Sequence, residues 1–291
     1  ALHPGYGFLS ENPELAQLCE EKNIAYVGPS SEVIHRMGDK TEARTAMTQA
    51  GVPVTPGSDG NLANIEEALV EAERVGYPVM IKATSGGGGR GIRRCDDAED
   101  LKSQYPRVIS EATKAFGSAE VFLEKCIINP KHIEVQVLGD SQGNVVHLYE
   151  RDCSIQRRNQ KLIEIAPSPQ ISEEQRSYLG EMAVAAARYV GYESAGTVEF
   201  LLSGEDIYFM EMNTRIQVEH TITEQITGVD IVREQIRVAE GKELSYKQED
   251  ISYRGYAMQF RINAEDPKND FLPSFGRITH YYAPGGPGVR V

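Results

Sequence analysis

The chain has 291 residues, 40% hydrophobic and 25% charged, the balance of a folded globular protein with one large domain or two to three smaller ones. The most apolar helical stretch, Met182 to Val190, is broken by Arg188 and falls far short of the ~18 uninterrupted apolar residues of a membrane span, and the composition excludes a disordered or collagen-like chain. Thirty basic against 43 acidic residues give a net charge of −13, which argues against nucleic-acid binding and requires local cations, backbone N–H groups or bound metal wherever an anion is held.

The chain opens at Ala1-Leu2-His3 without a methionine or a signal-like arm and stops at Val289-Arg290-Val291 without a cap, so both ends are expected to be cut. Asn12-Pro13 reads as N-cap and first position of a helix, and Ile24 to Val27 as a short strand. Helical periodicity runs from about Ser31 to Ala50 and stops at Gly51, and Val52 to Gly57 is a Pro/Gly-rich connection. A helix over Ile65 to Val75, a strand over Pro78 to Ala83, a glycine cluster, a strand at Ile92 to Cys95 and a helix over Asp96 to Phe116 follow.

From Glu120 the texture is mainly strand: Glu120 to Cys126, the period-two stretch His132 to Leu138, and Val145 to Glu150 after a turn at Asp140 to Gly143. Ser172-x-x-Gln175 is a capping box for a helix ending near Gly191. Strands at Gly196 to Leu202 and Ile207 to Met212 form a hairpin around Ser203 to Asp206, and a last helix is expected over Thr223 to Ala239. The order of elements implies an α+β fold with a mainly antiparallel core sheet. Cys19, Cys95, Cys126 and Cys153 form no C-x-x-C pair, which points to a reducing compartment and no structural zinc.

The glycine cluster is Lys82-Ala83-Thr84-Ser85 followed by Gly86 to Gly89, Arg90 and Gly91. Four successive glycines expose backbone N–H groups that can close over phosphate oxygens. A Walker A loop needs its Lys after the glycines, and a Rossmann turn needs a helix there, whereas here Lys82 precedes them and a strand follows. Strand–glycines–strand reads as a flap over a nucleotide; a flexible linker is the plain alternative.

Glu199 and Glu211 are the second signal. With the hairpin turn centred near residue 204.5, the two carboxylates fall opposite one another within one residue of register. Like charges so placed among Val198, Phe200, Phe209 and Met210 repel, and a divalent cation reverses the sign of that interaction. Oxygen ligands with Asn213 nearby suit Mg²⁺ or Mn²⁺; a protonated or salt-bridged structural Glu is the alternative. Glu211, Asn213, Arg215, Gln217 and Glu219 then recur at every second position, so in an extended chain all five face one side, with Met212, Ile216 and Val218 suited to burial between them. A guanidinium at Arg215 suits a small planar anion and Glu219 a base, the alternative being a solvated edge strand. The basic run Arg151, Arg157, Arg158 and Lys161 fits charge for nucleotide phosphates or a small anion better than a nucleic-acid patch, a solvated face being the plain alternative for any one of them.

These motifs resemble the biotin carboxylase branch of the ATP-grasp enzymes. The resemblance lies in Lys82 with its glycines, Glu124-Lys125, the run Glu150 to Arg158, the run Glu211 to His220, the opening His3 to Glu11 and the stretch Arg261 to Pro267, and it covers essentially the whole chain. It implies an ATP-grasp fold with a small glycine-flap lid, divided into 1–53 (end of the preceding domain and a linker helix), 54–126 (lid) and 127–291 (core with the metal, bicarbonate and biotin site). It implies a reaction in which ATP and bicarbonate give carboxyphosphate, whose carbon dioxide passes to N1 of biotin on a carrier protein. It implies roles as well. Lys40 and Lys82 meet ATP phosphates, Gly88 and Gly89 belong to the flap, and Glu124, Lys125 and Ile127 meet adenine. His132 meets ribose, and Gln156 and Asn159 meet the nucleotide. Glu199, Glu211 and Asn213 hold Mg²⁺ or Mn²⁺, with two ions expected. Lys161, Arg215, Gln217 and the backbone of Val218 hold bicarbonate, Glu219 deprotonates it, and Arg261 steadies the enolate of biotin.

Asn159 stands where many relatives have His, and Thr84-Ser85 where many have a longer glycine run. The partners implied are a biotin carboxyl carrier and a carboxyltransferase in a homodimer or larger complex, in the cytoplasm or alternatively the mitochondrial matrix or a plastid, without nucleic acid or membrane. Two further readings stand beside this one: another ATP-grasp ligase joining a carboxylate to an amine, and a nucleotide-binding fragment without turnover.

Overall fold

The computed structural model describes residues 1–84 and 91–291, so the expectations for Gly88 and Gly89 lie outside the described residues. Two compact units are present, Ala1–Gln259 and Phe260–Val291.

The first unit opens with α1 (Pro13–Glu21), capped as expected by the Asn12 side chain, which accepts from the Leu15 N–H at 2.6 Å. The strand expected at Ile24 to Val27 is reduced to a single parallel bridge between Leu2 and Tyr26. The long helix expected from Ser31 to Ala50 is two helices, α2 (Ser31–Gly38) and α3 (Lys40–Gln49). Asp39 separates them: its backbone is extended, and its carboxylate accepts from the N–H groups of Thr41 and Glu42 at 2.9 Å, so it ends one helix and caps the next.

A three-stranded antiparallel sheet follows, in the order β2 (Ile92–Cys95), β1 (Val79–Ala83), β3 (Val121–Lys125). The helices α4 (Ile65–Val75) and α5 (Ala98–Phe116) cover one face, where Val79, Ile81 and Leu123 pack with Ala68, Ala72, Leu101 and Val108. Strand period two therefore turns Lys82 and Glu124 to the other face.

The larger sheet has the order β8-β7-β4-β5-β6-β9, with β4 (Lys131–Gly139), β5 (Val145–Arg157), β6 (Gln160–Ala166), β7 (Ser194–Ser203), β8 (Asp206–Asn213) and β9 (Ala257–Phe260). Its first four pairings are antiparallel. One face, carrying Ile133, Val135, Val137, Val198 and Phe200, packs on α6 (Glu173–Tyr189) through Leu179, Ala183 and Ala186, and α6 has the expected capping box at Ser172 and Gln175. The strand β6 is not foreseen by the sequence, and the basic run Arg151 to Lys161 lies on the β5–β6 hairpin. Arg158 and Asn159 turn it with φ of 54° and 62°, the left-handed pair of a type I′ turn.

The helix expected over Thr223 to Ala239 is also two, α7 (His220–Thr227) and α8 (Ile231–Ala239). Gly228 adopts φ 73° and Asp230 caps the second helix by accepting from Arg233 N–H at 2.9 Å. In the second unit a two-stranded ladder joins β10 (Glu265–Asp266) to β11 (Leu272–Pro273). The four cysteines are buried free thiols.

Gly57 joins the linker to β3: a Cβ there would lie 2.3 Å from the Leu123 carbonyl oxygen and 3.2 Å from Glu124 Cα. Both neighbours are backbone, so they cannot swing away. Gly57→Ala is expected to cost about 1–3 kcal/mol as overpacking, a fall of roughly 3–10 °C in Tm by calorimetry. An unchanged Tm would contradict this packing.

Candidate active site

The site grows from one lateral row. Antiparallel register sets Arg151 of β5 opposite Glu134 of β4, Glu134 opposite Glu199 of β7, and Glu199 opposite Glu211 of β8. The facing of Glu199 and Glu211 is the one that the hairpin arithmetic predicts. The register shifts by one at the next step, Phe200 pairing Phe209 across a bulge. Opposed residues share a face, so one cation and three carboxylates line up across four strands.

Burial makes that row costly. Glu134 and Arg151 are 0% exposed and Glu199 3%. Two cations answer the carboxylates. Arg151 Nε donates to Glu134 at 2.5 Å. Lys161, arriving from β6, donates to Glu134, to Glu199 at 2.8 Å and to Glu219 at 3.0 Å, so the three N–H bonds of one ammonium meet three carboxylates. Burial alone would lower the Lys161 pKa, but Glu134 and Glu199 outweigh it and hold the ammonium charged far above its ordinary value. Burial likewise pushes Glu199 up, and His132 and Lys161 overturn that to hold it well below the usual carboxylate range. Glu211 has no such support: burial and the Glu199 charge raise it, only partly offset by Lys40 and Lys161. Lys161 and Arg151 against Glu134, Glu199, Glu211 and Glu219 leave two negative charges uncompensated within the group.

Glu199 is the focus. Its carboxylate accepts from Asn213 Nδ2 at 2.8 Å and Gln217 Nε2 at 2.9 Å besides Lys161, and it also binds His132 Nε2. The Gln156 amide nitrogen donates to the Cys153 carbonyl at 2.8 Å, which fixes its orientation, so His132 Nδ1 accepts from it (2.8 Å) and Nε2 is the donor toward Glu199.

The polar ladder from 211 to 219 converges, though not as one strand. β8 ends at Asn213 and the chain turns through 214–219 into α7. Asn213 and Gln217 reach Glu199 and Glu219 reaches Lys161, while the Arg215 fork joins Asn213 Oδ1 at 3.0 Å and Glu11 at 2.8 Å. Met212 and Ile216 are buried as expected, whereas Val218 is exposed, because it lies in the turn before α7.

On the lid side, Lys82 binds Glu124, and Arg44 approaches the same carboxylate at 3.3 Å. Lys40, at the start of α3, has its pKa lowered by burial, against the pull of Glu211. It lines a 240 Å³ cavity with Glu11, Glu211, Asn213 and the apolar Ile34 and Met37. Lys125 turns away: its ammonium donates to the carbonyls of Gly76 (2.7 Å) and Tyr77 (2.9 Å). Ile127 follows β3 in the connection to β4. Asn159 sits at the exposed β5–β6 tip, outside the hydrogen bonds of the cluster, and Arg261 lies in the second unit.

Among the described residues, metal-ligand atoms gather within 4.8 Å in His132, Glu134 and Glu199, and in Glu134, Cys153 and Glu219. Glu134 is not among the site residues expected from the sequence, and Arg151 is expected there only as charge. The available signal was the period of His132, Glu134 and Gln136, which puts all three on one face; such a polar face is ordinarily solvated, and here it is buried.

Comparison with known proteins supplies independent findings. The model of the family "Carbamoyl-phosphate synthase L chain, ATP binding domain" matches residues 39–247. "Biotin carboxylase, N-terminal domain" matches 1–34, and "Biotin carboxylase C-terminal domain" matches 259–291. The 2-oxoglutarate carboxylase small subunit of Hydrogenobacter thermophilus is 59% identical over the whole chain, and Biotin carboxylase 1 of Bacillus subtilis 55%. The chain spans 62% and 65% of their lengths. The solved biotin carboxylase domain dimer of the Hydrogenobacter enzyme, in complex with MgADP, ADP and bicarbonate, superposes with a TM-score of 0.93 over 98% of this chain and 63% of that one, at 59% identity. Biotin carboxylase of Campylobacter jejuni, in complex with a β,γ-ATP compound, gives 0.93 at 52% identity, over 98% and 64%.

The unsupported carboxylate gives a test. Glu211→Gln removes the repulsion from Glu199, so without divalent ions the variant is expected to melt at or above the wild-type temperature. Millimolar Mg²⁺ or Mn²⁺ should raise the wild-type Tm, by up to about 2.7 kcal/mol of stabilisation at 100-fold excess over Kd. The shift should largely vanish in the variant; equal metal-induced shifts would exclude Glu211 from the ion site.

Proposed function

The chain belongs to the biotin carboxylase family, with its ATP-grasp fold, and on that premise we propose that the protein carrying it uses ATP and bicarbonate to carboxylate biotin on a carrier protein. The observation that carries the proposal is the Glu134–Glu199–Glu211 row, buried at its first two members, with Lys161 and Gln217 converging on it.

The donor set fits a hard divalent ion. Two uncompensated negative charges, the facing Glu199 and Glu211 carboxylates, and a Glu211 carboxyl raised by burial and by Glu199 favour a cation there, while the Asn213 amide now gives its nitrogen to Glu199 and its oxygen to Arg215 and must turn to serve as a ligand. Glu199, Glu211 and Asn213 would hold Mg²⁺ or Mn²⁺, which supplies charge neutralisation for a triphosphate. Four donors already converge on Glu199, so a direct ligand must displace one of them, and His132 is then free to meet the ribose. Lys40 and Lys82 would bind phosphate oxygens, the second by exchanging Glu124 for the nucleotide. Glu124, Lys125 and Ile127 would meet adenine, with Lys125 limited to its backbone by its bonds to Gly76 and Tyr77. Gln156 remains assigned to the nucleotide. Asn159 would reach the nucleotide from the exposed hairpin tip.

Lys161, Arg215, Gln217 and the Val218 backbone would hold bicarbonate. Glu219, 3.0 Å from the Lys161 ammonium, would take its proton. A bicarbonate oxygen then attacks the γ-phosphorus, the bond to ADP breaks, and carboxyphosphate forms. Its breakdown gives carbon dioxide and phosphate; the phosphate takes the N1 proton of biotin, and the nitrogen so freed attacks carbon dioxide to give carboxybiotin. Relatives are named as a subunit of 2-oxoglutarate carboxylase and as pyruvate carboxylases, and the activity proposed for this chain is biotin carboxylation. The partners proposed are a biotin carboxyl carrier, a carboxyltransferase and a second copy of the chain. Among the described residues no helix is long and apolar enough to cross a membrane. A cytoplasmic setting is proposed; two poplar relatives are named chloroplastic.

The full protein is expected to hydrolyse ATP only with bicarbonate present and faster with free biotin. Glu219→Gln should slow that turnover by about 10²–10⁴-fold, the usual range for removing a general base. Stimulation by amines or amino acids instead of biotin would favour an amine-coupling ligase and overturn the proposal.

A further inference from the structure

Arg151 is the largest fully buried side chain among the described residues, and the mechanism above gives it no task. A guanidinium has five N–H donors, and here five acceptors meet them. Nε donates to Glu134 (2.5 Å), Nη1 to Gln136 and Thr223 (both 2.9 Å), and Nη2 to Thr197 (3.2 Å) and to Gln217 Oε1 (2.8 Å). Of these partners only Gln217 is also assigned to the anion pocket. Its amide is held between opposite charges: the oxygen on Arg151, the nitrogen on Glu199 at 2.9 Å. A flip would set N–H against guanidinium and oxygen against carboxylate, two repulsive contacts in a dry site. One amide N–H is spent on Glu199, and the other has no protein partner among the described residues.

We infer that Arg151 is a positioning residue that fixes the polarity of the Gln217 amide, so that its donors and never its oxygen are presented to a small oxyanion. The inference rests on the bicarbonate reading of that pocket and deepens it. The fork geometry is essential: a lysine would keep the charge opposite Glu134, but one ammonium cannot span from Glu134 to Gln217.

Arg151→Lys in the full protein is therefore the test. Losing a charge-assisted bond that orients a donor is expected to raise KM for bicarbonate by about tenfold or more. KM for ATP should stay within about twofold, and crystals should have the Gln217 amide flipped or displaced. A purely structural role would lower Tm and change both KM values together. A folded variant with bicarbonate KM within twofold of wild type, or with Gln217 unmoved, overturns the inference. Where the variant does not fold, a wild-type crystal with bicarbonate, at a resolution that separates amide nitrogen from oxygen, decides: Nε2 on the anion and Oε1 on Arg151 support it, and Oε1 on the anion overturns it. A wild type without bicarbonate-dependent ATP hydrolysis sinks the functional reading, and the position of Gln217 in Arg151→Lys crystals then decides the role of Arg151 alone.

Discussion

Charge enclosed without water is the constraint on which this site depends. Glu134, Glu199 and Glu219 are nearly or wholly buried, and an isolated carboxylate in such a place would cost several kcal/mol or take up a proton. They remain paired because Arg151 and Lys161 are enclosed with them and each cation is shared among partners. Neither cation lies on the same strand as the carboxylates it serves. The site therefore exists only when β4, β5, β6 and β7 are in register, and a one-residue slip of β4 would turn Glu134 toward α6.

The same electrostatics join the two sheets. Lys82 and Arg44 neutralise Glu124 on the lid side, and Lys40 lies electrostatically between that pair and Glu211 on the core side. A polyanion entering here competes with carboxylates for lysines already paired. Part of its binding energy goes into that exchange, a way of keeping affinity moderate while orienting the ligand by charge.

Much of this was legible in the residues. The turn at Ser203 to Asp206 located the facing of Glu199 and Glu211, because hairpin register follows from the turn. The capping box at Ser172 and the helix over Ile65 to Val75 were equally plain, since their signals are local. Less legible were the breaks at Asp39 and Gly228: apolar periodicity continues across both, and only a cap or a left-handed glycine marks the stop. The period of two makes the ladder from 211 to 219 one extended row in the sequence; in the fold its members converge, but through a turn after Asn213. Glu134 and Arg151 were not given their part because burial of a strand's polar face depends on what packs over it, here 214–219 and α7, which is a tertiary fact.

The β5–β6 tip restricts what position 159 can hold. Asn159 has φ 62°, a backbone state costly for most side chains, and asparagine and histidine are among the few non-glycine residues enriched there. An exchange of His for Asn at this corner thus preserves the chain reversal whichever of the two is present. Main-chain torsion alone thus restricts this corner of the hairpin, and a β-branched side chain would be strained there whether or not it touched a ligand.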